Sequence, residues 1–177
     1  MGINRNLLNM MGIDLPSPYD FYIKGAEKLG ITKEDTSKIR QDVISYKNKY
    51  FPNFENLDED EKINIMETLT HGLAAYRIGD TPVKRTAFQL KDISQGIGHG
   101  LLSDRKFFKE ELGDAVNNKV GFYLRDKYSD NEEEAVEELV SMINKKDSRL
   151  YFPANGDTKP ITQLIGLNKI LERNNGN

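Results

Sequence analysis

Apolar residues recur every three to four positions over long stretches of this chain, and helix caps and breakers separate the stretches. Pro16-Ser17-Pro18 opens the first, with Ser17 able to cap and Pro18 at the first helical position, and it runs to about Gly30. Thr32 caps a second over 33–50, where Glu34 and Asp35 suit the positive end of the helix dipole, and Pro52 stops it. Asp58 caps a third, with Glu61 placed to complete a capping box, and this helix reaches Ile78 before Gly79-Asp80. Thr81-Pro82 starts a fourth, running to about Gln95. The stretch Gly96-Ile97-Gly98-His99-Gly100 then breaks the chain, because glycines crowded together are costly in a helix. Ser103 or Asp104 caps a long fifth helix to about Tyr128. Glu132-Glu133-Glu134 opens a sixth that ends near Lys145-Lys146, so both ends match its dipole.

After residue 148 the pattern changes. Arg149-Leu150-Tyr151-Phe152-Pro153 reads as a short strand and Asn155-Gly156 as a tight turn, which predicts a small β-hairpin near 149–162. Lys159-Pro160 begins a last helix to about Arg173. The expected fold is therefore mainly α, a single compact bundle of six or seven helices spanning 1–177. Helices over 17–51 would pack on a core over 58–146, with the hairpin and last helix at 148–173. No internal repeat is visible.

On a helical projection the third helix is apolar on two sides. Ile65, Met66, Leu69, Leu73 and Tyr76 gather on one, and Ile63, Ala74, Ala75 and Ile78 on the other. Such a helix is central, with neighbours on both sides. Glu67 and His71 fall among the second group, four residues apart, so the carboxylate can orient the imidazole. The pair can act as a general base, contribute two metal ligands, or simply fix packing as a hydrogen-bonded polar pair.

The fifth helix carries Leu112, Val116, Val120, Tyr123 and Leu124 as its core stripe. Asp114, Asn117, Asn118, Gly121 and Arg125 fill the adjoining arc. Asp, Asn and Gly are poor interior helix formers, so their concentration over 113–121 marks a candidate site. Asp114 can supply an acid or a ligand. Asn117, Asn118 and Arg125 can bind substrate, and Gly121 lets a ligand or a helix approach the backbone. The competing reading has the amides bonding neighbouring elements and Gly121 marking a helix crossing.

His71-Gly72-Leu73-Ala74-Ala75, then Lys91-Asp92, then Asp114-x-x-Asn117-Asn118-x-x-Gly121 resembles a helical domain of unknown function found at the C-termini of bacterial polymorphic toxins and in phage-related proteins. The resemblance covers about residues 67–152. Lys91-Asp92 stands where that family has a His-Glu segment. It implies a bacterial or phage origin and a site location, and no particular reaction.

Composition narrows the remainder. The chain has 177 residues, 37% hydrophobic and 30% charged, with a net charge of −3, so nothing global draws it to nucleic acid or an anionic membrane. Lys84-Arg85 is a short basic spot that leaves only a minor nucleic-acid reading. With no Cys, disulfides and thiolate chemistry are excluded, and with two His a three-histidine site is impossible. The glycine run lacks the Lys-Ser/Thr of a phosphate loop, and there is no His-Glu-x-x-His or EF-hand loop. No cofactor or metal is assigned. No apolar run reaches membrane-span length, and the N-terminal residues do not form a secretory signal, so the expected location is cytoplasmic or virion-associated. The leading expectation is a hydrolase-like effector with a polar cleft between helices 59–78 and 104–128. Its catalytic residues would be His71, Glu67 and Asp114. The alternative is a non-catalytic virion component or protein-interaction module, whose partner the sequence does not identify.

Overall fold

A computed structural model describes residue 30 and residues 32–89 and 105–155. The expected helices at 17–30 and 160–173, the Gly96–Gly100 break with His99, Lys91-Asp92 and the second arm of the hairpin lie outside the described residues. What is described is mainly helical. It comprises α1 (Lys33–Tyr50), α2 (Glu59–Ile78), α3 (82–89), α4 (Arg105–Tyr128) and α5 (Glu132–Asn144), with single 3₁₀ turns at Phe54–Asn56 and Pro153–Asn155. Among the described residues no helix is long and apolar enough to cross a membrane.

Local chemistry sets the boundaries. Thr32 and Asp35 close a full capping box at the start of α1: the Asp35 amide donates to Thr32 Oγ1 at 3.1 Å, and the Thr32 amide donates to Asp35 Oδ2 at 2.8 Å. Asp58 accepts from the Glu61 amide at 2.8 Å, one arm of the box expected at α2. Asn131 caps α5. That helix ends with Lys146 at φ 50°, and the Asp147 amide donates back to the Met142 carbonyl at 3.0 Å. This left-handed closure is usually made by glycine, so no sequence signal marks it.

α2 is the hub. It packs on α1, α4, α5 and the turn Pro153–Asn155, and its pairing with α4 is the most extensive among the described elements. Toward α1 and α5 it presents Ile65, Leu69, Leu73 and Tyr76, which join Val43, Val136, Leu139 and Leu124 in the apolar core. Its second buried face differs from the one expected. Ile63 is 46% exposed, and the buried positions are Asn64, Thr68, Gly72 and Ala75. This face is small and partly polar, and it is where α4 lies.

The two helices run side by side in the same direction: Asp114 lies by His71, Gly121 by Gly72 and Ala75, and Phe122 by Gly79. A Cβ on Gly121 would fall on the Gly72 carbonyl oxygen and lie 2.7 Å from Ala75 Cβ. The absence of a side chain is what lets the backbones meet. Arg85 of α3 ties the far end, donating to both Asp126 carboxylate oxygens at 2.7 and 2.6 Å and to the Gly79 carbonyl at 2.7 Å.

No strand forms among the described residues, where Arg149–Pro153 was expected to supply the first arm of a hairpin. Leu150, Tyr151 and Phe152 are buried, and Tyr151 pairs its backbone with a side chain of α4.

Candidate functional site

Three of the sequence-predicted site residues meet at the margin of α2 and α4. Glu67 and His71 stand one turn apart on α2, and α4 delivers Asp114 to the same point. His71 Nε2 lies 3.2 Å from Asp114 Oδ1 and 3.5 Å from Glu67 Oε2. One ligand atom from each residue lies within 4.8 Å of the other two. The His71 and Asp114 side chains are 19% and 23% exposed and Glu67 is 49% exposed, so the cluster is open to solvent on its Glu67 side. The hydrogen bond from His71 holds the Glu67 carboxyl below the usual glutamate range, against the opposing push of partial burial.

The helix arithmetic behind this meeting is simple. Residues four apart share a helix face, so Glu67 and His71 are neighbours by construction. The glycine-and-alanine crossing at Gly121 brings α4 close enough for the short Asp114 side chain to reach the imidazole.

The other predicted site residues do different work. Asn117 is 1% exposed, and its amide is spent on the backbone of Tyr151: Nδ2 donates to the carbonyl at 3.0 Å, and Oδ1 accepts from the amide at 2.9 Å. Asn118 is fully buried in the same helix. Gly121 is sealed against α2. Arg125 lies 11 residues beyond Asp114, about 16 Å along the helix. Its Nη2 donates to Asp130 Oδ1 at 3.0 Å, and its guanidinium stacks 5.3 Å from the Tyr76 ring centre. Of the residues expected to bind substrate, Asn117, Asn118 and Gly121 are therefore interior, and Arg125 lies elsewhere on α4. The polar arc of α4 splits, Asp114 at the margin and the amides within.

Two interior polar groups escaped the sequence reading. Asn64 Oδ1 accepts from the Ala154 amide at 3.0 Å, a second side-chain anchor for the segment that Asn117 holds. Thr68 is fully buried, and its hydroxyl has no hydrogen-bond partner among the described residues. Their spacing with Gly72 and Ala75, every three to four residues, was the available signal.

Elsewhere the charges are mostly internal pairs. Arg77 of α2 reaches Asp42 of α1 at 2.7 Å and Glu132 of α5 at 2.5 Å, and Tyr46 donates to Glu132 at 2.9 Å. Lys84 and Arg85 are engaged by Asp80 and Asp126. A groove of about 460 Å³ lined by Asp35, Lys38, Ile39, Arg77, Lys84 and Glu132 contains none of the cluster residues.

Compared with known protein families, curated proteins and solved structures, the chain finds no match in any of the three.

Proposed function

We propose that the protein is a hydrolase-like effector whose working centre is Glu67, His71 and Asp114. The observation that carries this reading is the approach of His71 Nε2 to two carboxylates from two helices, at 3.2 and 3.5 Å. Histidine is the side chain best matched to accepting a proton from water near neutral pH. Flanking carboxylates stabilise the charge the ring then carries, and Asp114 holds the ring in place. The solvent-open side beside Glu67 gives a water or a substrate access. The resemblance of residues 67–152 to the toxin-associated helical domain supports an effector of bacterial or phage origin.

The test is induced expression in a bacterial host, with purified protein assayed on ester, phosphodiester and glycoside substrates. Growth arrest or hydrolysis is expected from the native chain and is lost in His71→Ala and Asp114→Ala, with melting temperatures within a few degrees of native. Losses of folding that parallel the losses of activity would overturn the reading.

A second reading, a non-catalytic interaction or virion protein, is favoured by one observation. Asn117 and Gly121, the core of the recognisable string, are engaged in packing, Asn117 on the Tyr151 backbone and Gly121 against α2. Native chain without hydrolysis or growth arrest, but co-purifying with particles or a defined partner, would select it.

A further inference from the structure

We propose that Glu67, His71 and Asp114 bind one divalent transition-metal ion of the Mn²⁺ or Zn²⁺ class, with open positions left for water. The inference rests on reading this cluster as the working centre, and it names the cofactor that centre takes.

The geometry argues for an ion in three ways. First, the same imidazole nitrogen faces both carboxylates. A single N–H cannot direct itself fully at two acceptors, whereas a cation attracts all three donor atoms at once. Second, ligand atoms about 2.0–2.1 Å from a tetrahedral ion lie about 3.3 Å from one another. The observed separations from Nε2, 3.2 and 3.5 Å, straddle that value. The remaining carboxylate pair is within 4.8 Å, and the half-exposed Glu67 side chain has freedom to close the difference. Third, the set is open. Three protein ligands on one side leave coordination positions toward solvent, the arrangement of catalytic and not structural metal sites.

The donor chemistry narrows the ion. One imidazole with two carboxylates suits first-row divalent ions, and the absence of thiolate disfavours soft ones. Ca²⁺ seeks six to eight oxygen donors, more than this cluster offers. With an ion seated, Nε2 would be a ligand and no longer the proton acceptor, and the ion would take over the activation of water by lowering the pKa of a water bound to it. The two helices supplying the ligands cross at Gly121, so the site is held by the most extensive packing contact among the described elements.

The experiment uses the full chain, stripped with chelator and dialysed. MnCl₂ is titrated while the free-ion paramagnetic resonance signal is followed, and ZnCl₂ is titrated by calorimetry. One ion per chain, with binding weakened at least tenfold in both His71→Gln and Asp114→Asn, is the expected result. Glu59→Gln, which removes an exposed acid two turns away on α2, should bind like the native chain. Circular dichroism checks that each variant is folded, and His71→Ala and Asp114→Ala provide a second pair if an amide variant is not. No saturable binding, or binding undiminished by the His71 and Asp114 changes, overturns the inference. Saturable His71-dependent binding without hydrolysis or growth arrest supports the metal site and sinks the catalytic reading. Activity that needs His71 yet resists complete chelation sinks the metal site and leaves the catalytic reading standing.

Discussion

Asn117 grips the backbone of Tyr151 with both ends of its amide, donating to the carbonyl at 3.0 Å and accepting from the amide at 2.9 Å. The side chain does for Tyr151 what a neighbouring strand would do, and it does so where neither group can reach water. Asn117→Ala leaves a buried donor and a buried acceptor unmatched, which costs about 2–6 kcal/mol at the usual penalty for each. The expected outcome is a lower urea midpoint together with faster amide exchange at Leu150–Ala154. Unchanged exchange there would show that the clasp does not hold the segment.

The two glycines of the α2–α4 contact should respond differently to the same change. A methyl at Gly121 meets the Gly72 carbonyl and Ala75, which are backbone and a short rigid side chain. A methyl at Gly72 meets the tip of Leu139, with Cδ2 at 2.7 Å, and a leucine can turn away. Overpacking of the first kind costs about 3 kcal/mol. Gly121→Ala is therefore expected to destabilise strongly and Gly72→Ala by clearly less, as read from urea unfolding. Equal effects would mean that the crossing is not set by backbone contact.

How much of this was legible in the sequence follows from which partners are local. The caps at Thr32 and Asp58 and the pairing of Glu67 with His71 depend on residues three or four apart, so pattern alone exposes them. The centrality of α2 was also readable, because both of its faces lack charge over most of their length. Asn117 was not readable. A helical projection cannot distinguish amides facing a cleft from amides bonding a segment 34 residues away. The same blindness put Ile63 and Tyr123 inside, where they are 46% and 42% exposed, and read Tyr151 as a strand residue. Asp114 was singled out for its odd company, but its meeting with His71 depends on a helix crossing that no local rule supplies.

Acid should weaken the junction of α1, α2 and α5. Burial pushes the Glu132 carboxyl up, but the Arg77 guanidinium and the Tyr46 hydroxyl outweigh it and hold the group below the usual glutamate range. A carboxylate with a depressed folded pKa contributes its full stabilisation above the ordinary glutamate value of about 4.5 and loses it as pH falls through the lower folded value. Glu132→Gln should cost about 2 kcal/mol at pH 7 and flatten the acid limb of the stability profile below that ordinary value. A native-like acid limb in the variant would show that other carboxylates govern it.

The central claim is that His71 and Asp114 act as one unit, and a double-variant comparison tests it most directly. Hydrolysis or growth arrest is measured for His71→Ala, Asp114→Ala and the two combined, each checked for native-like melting. Residues that work together lose their function together, so the double variant should be no worse than the more damaged single one. Losses that multiply in the double variant would contradict the account.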